Sequence, residues 1–330
     1  MIYTIHETDL FRPHQDPDDH WDLACQFALA HMGLHRLKGV LIDHPPGFVK
    51  GDPDIQAVQQ LNVITGLHTP VGIGAPDDAK TAASSGAAML LEALEHTLEP
   101  VTIHIVGSSR DVAQAIQANR PLFAAKCRAI YLNAGSGNQN GRLEYNVELD
   151  PASYAAIFSA PCPVYWMPCF DTVPDWGVED MQVGRYGTFY RFLQKDILEN
   201  LSPRMQNYFL SMFTQNTDSR WLAALGGPVD QGALAEYGEQ PRNMWCTGGF
   251  LHAVGLCVSL EGNIAPLGEN PVDEVFGFTP IRVQCDINGH TEWAACPAGE
   301  TDRYLFTVMD TSAYPQAMTR AMRSLLKQLP

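Results

Sequence analysis

Through its first half the chain alternates short β-type runs with helix-type patterns, and few folds accept that rhythm. The apolar runs are Ile2–His6, Gly39–Asp43, Pro70–Gly74, Val101–Val106, Ala129–Asn133 and Pro163–Pro168. Helical patterns over Asp22–Met32, Asp54–Thr65, Asp78–Leu98, Asp111–Asn119 and Pro151–Phe158 separate most of them. Several open on Asp or Asp-Pro, which suits an N-cap and the positive end of the helix dipole. Such alternation builds βαβ units, hence an α/β fold with a mostly parallel open sheet covered by helices on both faces. The 45% hydrophobic and 18% charged content supplies that core and excludes a disordered chain.

Beyond Asp175 the texture changes. Thr188–Glu199 and Pro203–Phe213 read as helices, Gly226–Gly238 is Gly-rich, and a further helix follows Gly248–Gly249 as far as Ser259. Residues 279–310 read as antiparallel strands with Asn288–Gly289 as a two-residue turn, and Tyr314–Leu329 as a closing amphipathic helix. No repeat, low-complexity tract or linker interrupts the 330 residues, so one domain over 1–330 is the simplest organisation. Its expected parts are an α/β core over 1–172, a helical cap region over 173–270, and C-terminal strands and a helix over 271–330.

The formal net charge is −16. A surface this acidic repels phosphate backbones and anionic lipid, which argues against nucleic acid and membrane partners. It suits a neutral or cationic ligand and helps gather a divalent metal. No stretch has the ~20 apolar residues of a membrane span. The start, MIYTIHETDLFRPH, lacks the basic and long apolar regions of a signal peptide, so the expected location is the cytoplasm. Cys25, Cys127, Cys162, Cys169, Cys246, Cys257, Cys285 and Cys296 show no CxxC spacing and read as reduced core thiols. A homo-oligomer is left open. Neither a GxGxxG nor a Walker loop supports a nucleotide cofactor, and there is no Gly-x-Ser-x-Gly elbow.

Chemistry concentrates after the first run. Glu7, Asp9, Asp16, Asp18, Asp19 and Asp22 place six carboxylates within sixteen residues. In open α/β sheets ligands sit beyond the carboxyl ends of the strands, and this is such a place. Carboxylates so crowded repel one another unless something cationic is shared between them. Hard cations such as Ca²⁺ take several oxygen ligands, which makes the cluster a plausible cage. Helix caps and solvated loop charges explain the same residues about as well.

Further segments narrow the reading. Asp9 is followed by the pair Asp18–Asp19. Pro70 to Ala75 (PVGIGA) forms a strand, and Val101 to Ala113 (VTIHIVGSSRDVA) a strand, Gly-rich turn and helix. Leu132 to Asn138 (LNAGSGN) precedes Glu144-Tyr145-Asn146 and Asp150-Pro151. In order and spacing, these segments of residues 1–172 resemble the nucleoside hydrolases, the inosine–uridine-preferring type and its looser relatives.

The resemblance implies a metal-dependent hydrolase of the N-glycosidic bond of ribonucleosides or a related ribosyl compound, with Ca²⁺ as cofactor. Asp9 and Asp19 would hold the metal by side chain and Val106 by its backbone carbonyl. Asp18, Glu144 and Asn146 would hold sugar hydroxyls, with Asn138 or Asn140 nearby. Asp9 would also take a proton from the metal-bound water, which attacks the anomeric carbon as the base leaves. The chemistry is coherent. An oxocarbenium-like state favours surrounding carboxylates, a metal lowers the pKa of its water, and oriented partners reject ligands lacking the hydroxyl.

The pattern breaks late in the chain. The family's His-Asp pair completes the metal site, yet the comparable stretch, Asn243 to Ala253 (NMWCTGGFLHA), carries Trp245 and Cys246 there. A soft thiolate suits Ca²⁺ poorly. After the second strand, where the family has an asparagine for the ribose, the chain reads Ile42 to Pro46 (IDHPP). Three explanations compete. Asp16, in a lengthened loop within Phe11–Pro17, supplies the missing metal oxygen. Trp245 takes a catalytic part by stacking on the leaving base. Or the chain is a non-catalytic or repurposed relative that binds a ribosyl or carbohydrate ligand without cutting it. An acidic assembly subunit whose aspartates are only caps is the reading outside this class.

Other residues read structurally. Asp150 is a cap, Ser108, Ser109 and Asp111 a turn plus cap, Cys246 an inert buried thiol and His252 a packed histidine. His14 and His20 read as exposed loop residues. Trp166, Phe170 and Trp176 stand between core packing and a base pocket, as does Trp245 itself.

Overall fold

Strands that are apolar on both faces need helices on both faces, and the computed structural model has that construction. It describes residues 1–10, 17–44, 53–76, 84–138, 141–174, 181–216, 218 and 220–330. In chain order the first half holds β1 (Ile2–Thr8), α1 (Pro17–His31), β2 (His35–His44), α2 (Pro53–Thr65), β3 (Val71–Pro76) and α3 (Ser85–His96). Then come β4 (Val101–Ile105), α4 (Arg110–Ala118), α5 (Arg120–Lys126), β5 (Cys127–Leu132), α6 (Tyr145–Leu149), α7 (Pro151–Ile157) and β6 (Val164–Trp166). The second half begins with β7 (Tyr190–Leu193), α8 (Lys195–Leu198), α9 (Pro203–Phe213), α10 (Trp221–Leu225), α11 (Gln231–Gly238) and β8 (Pro241–Met244). It closes with α12 (Thr247–Ala253), β9 (Leu256–Val258), β10 (Ile264–Pro266), β11 (Phe276–Cys285), β12 (Thr291–Ala295), β13 (Arg303–Val308) and α13 (Tyr314–Leu326).

Nine strands make one sheet in the order β12-β11-β13-β6-β5-β4-β1-β2-β3. From β13 to β3 all neighbours are parallel, while β11 is antiparallel to both β13 and β12. β7 with β8, and β9 with β10, form small antiparallel pairs. Side chains alternate between two cores. Ile103, Ile105, Ile130 and Leu132 pack with α3, α4, α5 and α7, whereas Ala129 and Tyr131 pack with α1, α2, α9, α12 and α13. Strand order reverses between β1 and β4, with β2 and β3 lying to one side and β5 and β6 to the other. A reversal of this kind leaves a crevice past the carboxyl ends, and here it opens between the segments following Thr8 and Ile105.

Several expectations need correction. Helix α1 begins at Pro17 instead of Asp22, so Asp18 and Asp19 occupy its first turn, where the dipole favours carboxylates. Thr188–Glu199 is not one helix. Tyr190–Leu193 is a strand whose partners, Pro241–Met244, lie far along the chain, and only Lys195–Leu198 is helical. The helix after Gly248–Gly249 stops at Ala253 and β9 follows. The Gly-rich stretch contains α11, capped by the Asp230 carboxylate on the N–H groups of Gly232 and Ala233. Strand β13 is antiparallel to β11 but parallel to β6.

Asn288–Gly289 is not a two-residue turn. Gly289 N–H donates to Asp286 O (3.0 Å), Asp286 N–H donates to His290 O (2.9 Å), and Gly289 alone in the loop has positive φ, +85°. The Asp286 carboxylate accepts from the N–H groups of Asn288 and His290, which favours this three-residue loop. Among the described residues no helix is long and apolar enough to cross a membrane.

Candidate functional site

A cavity of about 300 Å³ lies in the crevice. Its polar lining is Asp18 and Asp19 from α1, Val106 after β4, Asn133 after β5, and Glu144 and Asn146 where α6 begins. The apolar lining includes Phe170, Val173, Met181 and Trp245, and Cys169 also reaches it. No lysine or arginine is among its described lining residues.

The carboxylates are stitched to backbone. Asp19 Oδ2 accepts from the Thr8 hydroxyl, from Asp9 N–H (3.0 Å) and from Leu10 N–H (3.5 Å). Leu10 turns the chain with φ +50°, a left-handed conformation that non-glycine residues seldom adopt. Asp9 is buried behind Asp19 and does not line the cavity. A Cβ at Gly107 would come within 3.0 Å of Asp9 N, so glycine lets the end of β1 and the turn after β4 approach each other. Glu144 caps α6. Its Oε1 accepts from Asn146 N–H (2.9 Å) and its Oε2 from Gly135 N–H (2.8 Å), yet burial pushes its pKa up to about 7.

Two amides organise the floor. Asn146 donates its side-chain N–H groups to Val106 O (3.1 Å) and Asn133 O (3.3 Å). Asn133 Nδ2 donates to Met167 O (2.7 Å) and the Thr188 hydroxyl (3.0 Å). That orientation turns Asn133 Oδ1 toward two thiols, Cys246 at 3.1 Å and Cys169 at 3.5 Å. Burial first, then the nearby Asp22 and Asp19 charges, raise the Cys246 pKa well above that of an ordinary thiol. Trp245 stands edge-on to Phe170 (5.8 Å, 87°) and tilted to Phe189 (5.7 Å, 55°).

Of the residues singled out by sequence, Asp18, Asp19, Val106, Glu144, Asn146 and Trp245 line the cavity. Asn138 does not. Its side-chain amide donates to the Asp171 carboxylate. Asp16, His14, Asn140 and Trp176 lie outside the described residues. His20 is not an exposed loop residue but a buried part of α1. Trp166 belongs to the core, with Nε1 donating to Ala134 O (2.8 Å), whereas Phe170 faces the cavity. His252 is packed, its Nδ1 sharing a hydrogen bond with the Tyr131 hydroxyl (2.8 Å) and its pKa lowered to about 4 by burial. Asp111 is no cap. It accepts from Ala75 N–H (3.1 Å) and the Ser84 hydroxyl, tying β3 and α3 to α4. Asn133 and Cys169 were missed, although a polar residue ending the apolar run CRAIYL is a readable signal under the crevice rule.

The donor set at the described positions does not fit a hard cation. One oxygen of Asp19 carries three donors, the Val106 carbonyl carries the Asn146 amide, and position 246 offers sulfur where a hard cation takes oxygen. Among the described residues no group of three or more His, Cys, Asp or Glu side chains is placed to hold a metal ion.

No family model and no curated protein matches the sequence. Solved structures do match in shape. The inosine–uridine preferring nucleoside hydrolase of Bacillus anthracis is similar with TM-score 0.50 and 15% identity, covering 100% of each chain. The purine-preferring ribonucleoside hydrolase of Gardnerella vaginalis has TM-score 0.57 and 12% identity, over 98% of this chain and 99% of its own. An effector protein has TM-score 0.58 and 13% identity, over 98% of this chain and 94% of its own.

Proposed function

From the nucleoside hydrolase-like fold of this chain, we propose that the cavity binds a ribonucleoside or a related ribosyl compound and serves hydrolysis of its N-glycosidic bond. One observation carries the proposal. Asp18, Asn133, Glu144 and Asn146 share a single cavity with Phe170, Met181 and Trp245. A ribonucleoside divides the same way, into hydroxyls that need oriented partners and a flat base that needs aromatic or apolar contact. In this reading Asp18, Glu144 and Asn146 take sugar hydroxyls and Trp245 with Phe170 takes the base. Carboxylates beside the sugar favour the positive charge that develops as the glycosidic bond breaks. Asp9 supports Asp19 from behind instead of meeting the ligand.

Binding without cleavage is the second reading, and the neutral Cys246 thiol beneath the cavity favours it. The protein at high concentration is incubated with a panel of ribonucleosides, in Ca²⁺ and in EGTA, and free base is quantified while calorimetry measures binding. The expected result is saturable binding that weakens at least ~10-fold in Asn146→Ala, as loss of a buried hydrogen bond implies. Release of base selects hydrolysis, and binding without release selects the second reading. If no ribonucleoside either binds or is cleaved, the proposal fails.

A further inference from the structure

At the positions where a metal cage would stand, the chain's own hydrogen bonds already engage the described donor atoms. The Thr8 hydroxyl and the N–H groups of Asp9 and Leu10 surround one oxygen of Asp19, in the place of a cation's positive charge. Asn146 donates to the Val106 carbonyl at 3.1 Å. At position 246 a thiol donates to Asn133 Oδ1, and that oxygen cannot swing away, because its partner nitrogen is held by Met167 and Thr188. A divalent ion entering here would share the Val106 carbonyl with Asn146, disturb the Cys246–Asn133 contact and take a sulfur ligand, a poor donor for a hard cation.

We infer that this cavity takes its ribosyl ligand without a divalent metal, the Asn146 amide and the Cys246–Asn133 contact holding the positions a metal would otherwise organise. The inference rests on the ribosyl reading above for the ligand but not for the metal. It makes two residues specificity devices. Asn146 ties the ends of β4 and β5 by holding the Val106 and Asn133 carbonyls, and Cys246 sets a thiol where an oxygen donor would suit a hard cation.

The test separates the two readings. Equilibrium dialysis of the intact protein against Ca²⁺ is followed by metal analysis, with melting temperature measured in Ca²⁺ and in EGTA. No stoichiometric Ca²⁺ and coincident melting curves are expected, together with ribonucleoside affinities that agree within about twofold in the two buffers. Cys246→Asp should acquire a Ca²⁺-dependent rise of several degrees in melting temperature, as ligand binding to the folded state requires. Stoichiometric Ca²⁺ on the natural protein, or a tenfold gain in ribonucleoside affinity with Ca²⁺, overturns the inference. A folded Cys246→Asp protein indifferent to Ca²⁺ overturns the part given to position 246. Should that variant not fold, dialysis of the natural protein still decides. Should no ribonucleoside bind in either buffer, the ribosyl reading fails while the metal question is still answered.

Discussion

Two groups of acids sit at the carboxyl end of the sheet, and they are built in different ways. Around Arg110, Asp43 at 3.8 Å and Asp150 at 3.5 Å are matched by a guanidinium that also donates to the carbonyls of Ala75 and Leu149. The described lining of the cavity includes Asp18, Asp19 and Glu144, and backbone N–H groups steady Asp19 and Glu144. Glu7 lies between the two groups. Burial, then the charge of Asp43, pushes its pKa well above the ordinary carboxylate value. The contrast separates two uses of one residue type. Acids facing an internal guanidinium brace the fold, and acids steadied by backbone N–H groups line the cavity.

The strongest challenge to that contrast is Arg110→Met. It removes the guanidinium that faces two buried carboxylates and should cost about 3–5 kcal/mol in urea unfolding. A loss below about 1 kcal/mol would mean the Arg110 group is no brace. Glu144→Ala should act chiefly on the ligand. With both backbone donors of Gly135 and Asn146 left without their acceptor, ribonucleoside affinity should fall ~10-fold or more, at a stability cost of about 1–3 kcal/mol. Equal affinity in calorimetry would move Glu144 to the structural group.

Trp245→Ala should weaken ribonucleosides roughly 3- to 10-fold, the worth of one aromatic contact, while leaving ribose alone unaffected. An equal loss for ribose would place Trp245 away from the base. The smallest effect is a change of slope in melting temperature against pH. Glu144 is raised in the folded protein from 4.5 to about 7. Its stabilising contribution is therefore complete below pH 4.5 and lost as pH climbs through about 7. Buried His6 and His35, lowered from 6.5 to about 3 and about 4, act oppositely, because the unfolded chain takes up protons that the folded one refuses as pH falls below 6.5. Glu144→Gln should remove the opposing contribution, so that melting temperature rises more steeply with pH between 4.5 and 6.5.

Much of the architecture was legible because its signals are local. Apolar runs of strand length marked β1 to β6, and Asp near the start marked α2, α4 and α7, whereas α3 begins at Ser85 instead of Asp78 and α5 and α6 were not read. Where pairing is remote, the local pattern misled. Tyr190–Leu193 has helix-like neighbours, but its ladder partners begin at Pro241. At the site the same division holds. Asp18, Asp19, Glu144, Asn146 and Trp245 were named from sequence and line the cavity, while Asn133 was absorbed into a strand and Asn138 turned to Asp171.

Side-chain periodicity and helix-cap chemistry act over a few residues, so the amino-acid order alone determined a parallel, helix-covered sheet with acids crowded at one edge. Hydrogen-bond partners are under no such restriction. Asn146 reaches Val106 across 40 positions, and Cys246 reaches Asn133 across 113. Which partners within the chain those groups take was decided only when β4, β5 and α12 came together, because buried polar atoms bond to whatever the folded chain brings within reach.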